Sequence, residues 1–418
     1  MFVIYQILLA IGLVLASPYL LFRALVGKHG LRERLGFWNF VPDGRKTVWF
    51  HSASVGELKI ISTILPELQK MAPELRFVIT SVTKTGRENA RKLNLAAEHY
   101  YLPIDFKLAV DRVIARVKPE LLVIVETELW PALIRRAHHA GARVVIANGR
   151  ISNKSFQLYE LAFPLIAPVL EMVDFVMAQT KDDATKYTML GIWPTKVAVY
   201  GNAKFDQIAD SNHGSLAPEL AEFVSGDEHF IFVAGSVRAQ EFGEITESVR
   251  LASSKIERLK VVLAPRHLKD LGDLEFSLQA AELSYRRRTS LGTGPGVNQA
   301  VLVLDTMGEL SQLYRHADLA FVGGSLAKIG GHDPLEPASV GCAVCFGPHM
   351  DNSRQFADLL VQAGGAVYVK NGRELAELIQ RLAADPSQVE SLAGKAKQSV
   401  LSHVGVSRRI AEKLVSLI

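Results

Sequence analysis

Short apolar runs rich in β-branched residues, each followed by a stretch with helical spacing, recur along this chain. They occupy residues 47–51, 76–80, 121–126, 143–147, 175–178 and 196–199. Segments between them, such as 58–71 and 108–117, carry apolar residues at the helical period. A strand covered by helices on both faces reads as a continuous apolar run, so the pattern predicts a parallel, doubly wound sheet. Near 210–226 the chain turns polar, with Ser, Asn, His, Gly and Pro, which predicts a linker. The alternation then restarts at 230–233, 260–263, 301–304, 319–322, 343–346 and 366–369. The expected fold is α/β: two Rossmann-like domains, residues 27–210 and 211–418, facing a cleft. A terminal helical stretch, 388–418, could pack back on the first domain. A length of 418 residues suits two such domains. In open α/β sheets ligands bind outside the carboxyl ends of the strands.

Residues 2–22 depart from this pattern. They are apolar except for Gln6, a few small residues, Pro18, and the tyrosines Tyr5 and Tyr19. Roughly 20 such residues suffice to cross a hydrocarbon core. Arg23, Lys28, Arg32 and Arg34 follow, no Lys or Arg precedes the run, and a charged leader with a cleavage site is missing. A cleaved signal peptide is therefore not expected. Residues 1–26 are expected to form a membrane anchor with the bulk of the chain in the cytoplasm. A helix lying in the membrane interface is the other reading that Pro18 and Gln6 leave open.

The net charge of +4 suits a protein working beside phosphates or lipid headgroups. No nucleic-acid-binding signature is present, and no nucleic-acid partner is expected. Cys342 and Cys345 form a C-x-x-C that could be a redox or metal pair, but they lie in the apolar run Gly341-Cys-Ala-Val-Cys-Phe346, which reads as a buried strand and favours packed thiols. The histidines are scattered without metal-ligand spacing, and no metal is expected.

The unusual polar motifs fall just after predicted strands. Val48-Trp-Phe-His-Ser-Ala-Ser-Val-Gly-Glu57 runs from a strand into a helix. Ser54-x-x-Glu57 matches a capping box, and Glu57 equally suits a general base, its ionised form favoured by the helix N-terminus. Ile124-Val-Glu-Thr-Glu-Leu-Trp-Pro131 ends a strand in Glu126 and Glu128, which need nearby donors or cations unless they are simply solvated. Val199-Tyr-Gly-Asn-Ala-Lys-Phe-Asp206 offers Lys204, solvated or paired with a phosphate or carboxylate. In the second half, Ala234-Gly-Ser236 and Phe321-Val-Gly-Gly-Ser325 are turns whose backbone N–H groups could cradle phosphate. Arg266 in Ala264-Pro-Arg-His267 suits a phosphate clamp. Asp305-Thr-Met-Gly-Glu309 follows a further strand, and Gly330-Gly-His-Asp-Pro-Leu-Glu-Pro337 places Glu336 in a first helical turn, where a carboxylate can grip a ribose diol.

Taken in order, with Arg32-Glu-Arg-Leu-Gly-Phe37 and the apolar N-terminus, these motifs resemble the lipid A-specific 3-deoxy-D-manno-octulosonic acid (Kdo) transferase family across essentially the whole chain. The resemblance implies the GT-B architecture and an inverting, metal-independent transfer of Kdo from CMP-Kdo to the lipid A precursor lipid IVA. It also implies a location on the cytoplasmic side of the inner membrane, among its lipids. By the same resemblance Glu57 is the general base, and Glu126 and Lys204 assist the transition state. Pro265, Arg266, Met307, Gly308, Glu309, Asp333, Pro334, Leu335 and Glu336 correspond to the CMP site. The family commonly carries Asn where this chain has Asp333. Two rival readings are a GT-B relative acting on another sugar nucleotide, including an epimerase, and a tethered binding module in which Glu57 only caps.

Overall fold

The computed structural model describes residues 1–25, 30–93, 95–209, 214–226, 228–291 and 300–418, the side chains of 19–25 lying outside that description. The chain divides into two compact units, Met1–Gln207 with Gly405–Ile418, and Ile208–Val404.

The first unit holds a seven-stranded sheet: β1 Thr47–Ser52, β2 Arg76–Ser81, β3 Glu98–Tyr101, β4 Leu121–Val125, β5 Arg143–Gly149, β6 Phe175–Ala178 and β7 Val197–Val199. Its spatial order is β3-β2-β1-β4-β5-β6-β7, and the pairs are parallel. Side chains alternate between two covered faces. Trp49, Leu122 and Ile124 enter one apolar layer, whereas Val48, Phe50, Leu121 and Val123 enter the other. That is why these strands appear in the sequence as unbroken apolar runs.

The second unit repeats the plan with β8 Phe230–Val237, β9 Leu259–Pro265, β10 Tyr285–Arg287, β11 Val301–Val303, β12 Leu319–Val322, β13 Ala343–Phe346 and β14 Ala366–Tyr368, in the order β10-β11-β9-β8-β12-β13-β14. β3 and β10 were not anticipated. Both lie at a sheet edge, and Glu98-His-Tyr-Tyr101 and Tyr285-Arg-Arg287 are too short and polar to read as buried strands. Cys342, just before β13, and Cys345, within it, are buried, unpaired thiols in different apolar layers. Burial pushes both thiols up, as the packing reading predicts.

The connections differ from the expected linker. Residues 210–213 lie outside the described residues, and the helix Pro218–Phe223 occupies part of the remaining polar stretch. The helix Pro386–Leu401 belongs to the second unit, whereas the helix Val406–Ser416 belongs to the first. There Val406, Ile410, Ala411 and Leu414 bury against the layer that holds Ile61 and Leu65 of the helix Val55–Met71. The Asp206 carboxylate accepts from Gly405 N and Ser407 N, satisfying backbone donors at the start of that last helix.

The apolar N-terminus forms the helix Phe2–Leu25. Among the described residues no helix is long and apolar enough to cross a membrane, so the expected anchor is not established as a span. Its described part is docked on one side. Tyr5 and Gln6 hydrogen-bond to Asp105, and the Arg135 guanidinium lies over the Phe2 ring. Val3, Ile4, Ile7, Leu8, Ile11, Val14 and Leu15 face outward, the last two 70% and 77% exposed. Of the basic residues after the run, Arg23 and Lys28 lie outside the described side chains. Arg34 donates to Val82 O and stacks on Tyr101, a structural use.

Candidate active site

In the first sheet the strand numbering reverses between β1 and β4, and chain segments leave a doubly wound sheet in opposite directions at such a switch point. Glu57 follows β1 and Glu126 follows β4, so this topology brings both to the same sheet position. Ser54 caps the helix Val55–Met71, its hydroxyl accepting from Glu57 N at 3.1 Å. Glu57 Oε2 accepts from Ala53 N at 2.7 Å, one residue before the cap rather than at it, a displaced capping box. Glu57 Oε1 accepts no hydrogen bond from the described residues and still reaches solvent, although the residue as a whole is buried.

The helix start thus engages one oxygen of the carboxylate, Oε2, and leaves the other without such a bond. Burial pushes the Glu57 carboxyl up to about 7, against the pull of the Ala53 N–H and the Ser54 side chain; Glu126 and Glu128 push it the same way. The helix N-terminus was expected to favour the ionised form. Desolvation outweighs it here, and the carboxyl sits near neutrality instead of far below.

Glu126 takes a left-handed backbone conformation, φ 60°, which is uncommon for a residue with a side chain. Its N–H donates to Ala147 O at 3.0 Å and its carbonyl accepts from the buried Tyr187 hydroxyl at 3.0 Å, so both sides of the peptide are held. Burial raises its carboxyl, and Arg150 and then Lys204 draw it back. A guanidinium and an ammonium therefore act on it electrostatically. Lys204 is set by its neighbours: Ala203 N donates to Asn148 Oδ1 at 2.9 Å, and Lys204 N to Asn202 Oδ1 at 3.0 Å. Asn148 is itself fully buried at φ 54° at the end of β5. Glu57, Glu126, Glu128 and Lys204 are thereby brought into one electrostatic neighbourhood.

Sequence reasoning missed Arg150, Asn148 and Asp105. Asp105, almost fully buried, accepts from Ala132 N and Leu133 N, both at 2.8 Å, at the start of the helix Pro131–His139, and so fixes the segment that carries Glu126 and Glu128. A short polar residue after Leu102-Pro-Ile is no signal by itself. His51 was quoted only as part of its motif. Its ring bonds Thr80 Oγ1 and meets the Trp130 edge, and burial depresses it to about 3, leaving it neutral.

In the second unit the numbering reverses between β8 and β12. The Gly323–Ser325 turn does not offer its N–H groups to phosphate, contrary to expectation, and Gly235 lies within β8. Glu241, 1% exposed, accepts from Gly324 N at 2.6 Å and from Ser325 N and Leu326 N at 2.8 Å. A protein carboxylate already fills the cradle. Gly235 is required for another reason: a Cβ there would sit 1.9 Å from the Tyr314 hydroxyl.

Pro265 ends β9, and Arg266 follows it, exposed. Met307 is exposed and Gly308 sits at φ 95°, while Glu309 pairs with Arg288 at 3.1 Å and accepts from Thr306. Asp333 Oδ1 accepts from Leu335 N at 3.1 Å, a local turn that an Asn oxygen would make equally well. Pro334 and Leu335 are buried, and Glu336 is exposed on the short helix Leu335–Val340. Among the described residues no group of three or more His, Cys, Asp or Glu side chains is arranged to hold a metal ion.

Residues 29–207 match the family model described as 3-deoxy-D-manno-octulosonic-acid transferase (kdotransferase). The chain is 30% identical over 390 residues to the 3-deoxy-D-manno-octulosonic acid transferase of Haemophilus influenzae, spanning 92% of this chain and 90% of that protein. It is 32% identical over 371 residues to the protein of the same name from Chlamydophila psittaci, spanning 86% and 84%. Among solved structures, the UDP-GlcNAc 2-epimerase of Neisseria meningitidis bound to UDP-GlcNAc has a TM-score of 0.63 at 14% identity, over 88% of this chain and 100% of that one. A glycosyltransferase from Rickettsia africae has a TM-score of 0.56 at 14% identity, over 90% and 98%. At such identity the likeness shows the fold alone, two parallel-sheet α/β domains of the GT-B kind.

Proposed function

This chain belongs to the Kdo transferase family of glycosyltransferases, and from that premise we propose that it moves Kdo from CMP-Kdo to lipid IVA with Glu57 as general base. The observation that carries the assignment is the divided use of the Glu57 carboxylate. Oε2 is held by Ala53 N, while Oε1 reaches solvent on a group poised near pH 7. In the proposed step an acceptor hydroxyl gives its proton to Oε1 as its oxygen bonds to the anomeric carbon of Kdo. The bond from that carbon to the CMP phosphate breaks on the opposite face, its electron pair leaving with the phosphate, and configuration inverts. Glu126, under the electrostatic pull of Arg150 and Lys204, orients this neighbourhood, and Arg266 balances phosphate charge on the donor side. Fixed cations then serve without a metal.

We also assign the helix Phe2–Leu25 to the cytoplasmic face of the inner membrane, lying in the interface with Val3, Leu8, Val14 and Leu15 toward lipid. The docking of its other side on Asp105 supports a helix parallel to the protein surface. Such a placement keeps a lipid acceptor in its own bilayer.

The deciding experiment incubates the purified full chain, in mixed micelles, with CMP-Kdo and lipid IVA, following CMP release and lipid mass. A lipid heavier by Kdo, with inverted anomeric configuration and a rate unchanged by a chelator, is the expected result. Folded protein that makes no such product overturns the assignment.

A further inference from the structure

Val237 of β8 pairs with Pro265 of β9, so the residues after them, Arg238 and Arg266, leave adjacent parallel strands at the same level. Arg266 N donates to Val237 O at 2.8 Å and locks the two exits together. Two arginines thus leave neighbouring strands together, and among the described residues neither makes an ion pair. The buried Glu241 carboxylate is engaged with backbone donors. Glu241 already accepts from Arg238 N as well as from the three N–H groups of the Gly324–Leu326 turn.

The Arg238 side chain has a fixed direction. Its Nη1 lies 2.9 Å from His267 Nε2. A guanidinium only donates, so Nε2 is the acceptor and the ring proton sits on Nδ1. His332 completes the group. Its ring stands over the Gly324 turn, and its Nε2 is buried with no hydrogen-bond partner among the described residues. Burial and then the charges of Arg266 and Arg238 push His332 down to about 4, with Asp333 opposing. An unneutralised cationic group of this kind, at the carboxyl ends of strands next to a switch point, is built to receive more than one negative charge.

We propose that Arg238, directed by His267, is a second anion-binding side chain beside Arg266, and that it holds the carboxylate of the acidic sugar. This rests on the proposed donor, which carries two anions, a phosphodiester and a sugar carboxylate. A planar fork matches carboxylate and phosphate alike; with Arg266 assigned to the phosphodiester, Arg238 is left for the sugar carboxylate, and an arginine there selects an acidic sugar.

The test compares wild type, Arg238→Ala and Arg238→Lys in the full chain, measuring KM for CMP-Kdo and the inhibition constant of CMP. For Arg238→Ala the donor KM should rise at least about tenfold, with the CMP constant changed less than about twofold. Arg238→Lys should fall between, and it keeps the comparison available if the alanine variant does not fold. Equal weakening of CMP and CMP-Kdo, or no change in either, overturns the inference. A wild type that transfers no Kdo removes the proposed function itself, which is a different result from an active wild type indifferent to Arg238.

Discussion

The Tyr5 hydroxyl donates to Asp105 Oδ2 at 2.9 Å, joining the N-terminal helix to the carboxylate that receives the first N–H groups of the helix Pro131–His139. Gln6 reinforces the junction, donating to Asp105 O at 3.0 Å and accepting from Lys107 N at 2.8 Å. The N-terminal helix and the segment bearing Glu126 therefore share one buried group.

Asp105→Asn should destabilise the chain more than Tyr5→Phe. The amide presents one acceptor oxygen where the carboxylate has two, leaving a buried N–H of Ala132 or Leu133 unsatisfied, at roughly 1–3 kcal/mol. Tyr5→Phe removes one partly buried hydrogen bond, about 1 kcal/mol. Chemical denaturation of both variants checks the ranking, and equal stabilities would show that the junction is slack.

Glu57→Gln should separate activity from stability. Turnover should fall by about 10²–10⁴ because no proton acceptor remains at Oε1. The Gln oxygen can still accept from Ala53 N, so the helix start is retained. Turnover within twofold of wild type would remove the base assignment.

The pH dependence of stability depends on the same group. Its folded value of about 7 lies above the ordinary 4.5, so the folded state holds the proton more tightly than the unfolded state. The resulting stability is fully present below about pH 4.5 and is lost as pH rises through about 7. Asp105, pushed by burial to about 6, acts in the same direction from about pH 4 upward. Glu57→Gln should therefore exceed wild type in stability at pH 8, by on the order of 1–3 kcal/mol, and not at pH 5. Thermal melts at the two pH values check this.

Activity should move in the opposite sense. The base works ionised, so kcat/KM should rise about tenfold per pH unit below about 7 and level above it. A flat profile from pH 5.5 to 8 would contradict a base with this environment.

Glu241→Ala should be among the most damaging changes in the second unit. It leaves the buried N–H groups of Gly324, Ser325 and Leu326 without their acceptor, each at roughly 1–3 kcal/mol. Glu241→Gln, with one oxygen left, should be intermediate in urea unfolding. An alanine variant as stable as wild type would mean that water replaces the carboxylate.

Much of the fold was legible because it depends on local periodicity. The apolar runs marked twelve strands, and those left unread were short edge strands of polar and aromatic residues. The positions of Glu57, Glu126, Lys204 and Arg266 were also legible, since polar residues ending a buried strand mark the ligand-binding edge of such a sheet. The glycine turn at 323–325 was misread because glycine reports a backbone need without naming its cause. Here the cause is Glu241, more than eighty positions away in sequence.

Where the strands end, and which chemistry stands at their ends, is therefore written along the chain. The state of those groups is not, and it emerges only from packing: Glu57 near neutrality, Asp105 shared between two helices, Arg238 aimed by His267. Strand periodicity is set by neighbours along the chain, but desolvation and hydrogen bonding are set by whatever distant segments cover a residue. Those segments meet only once the chain has folded.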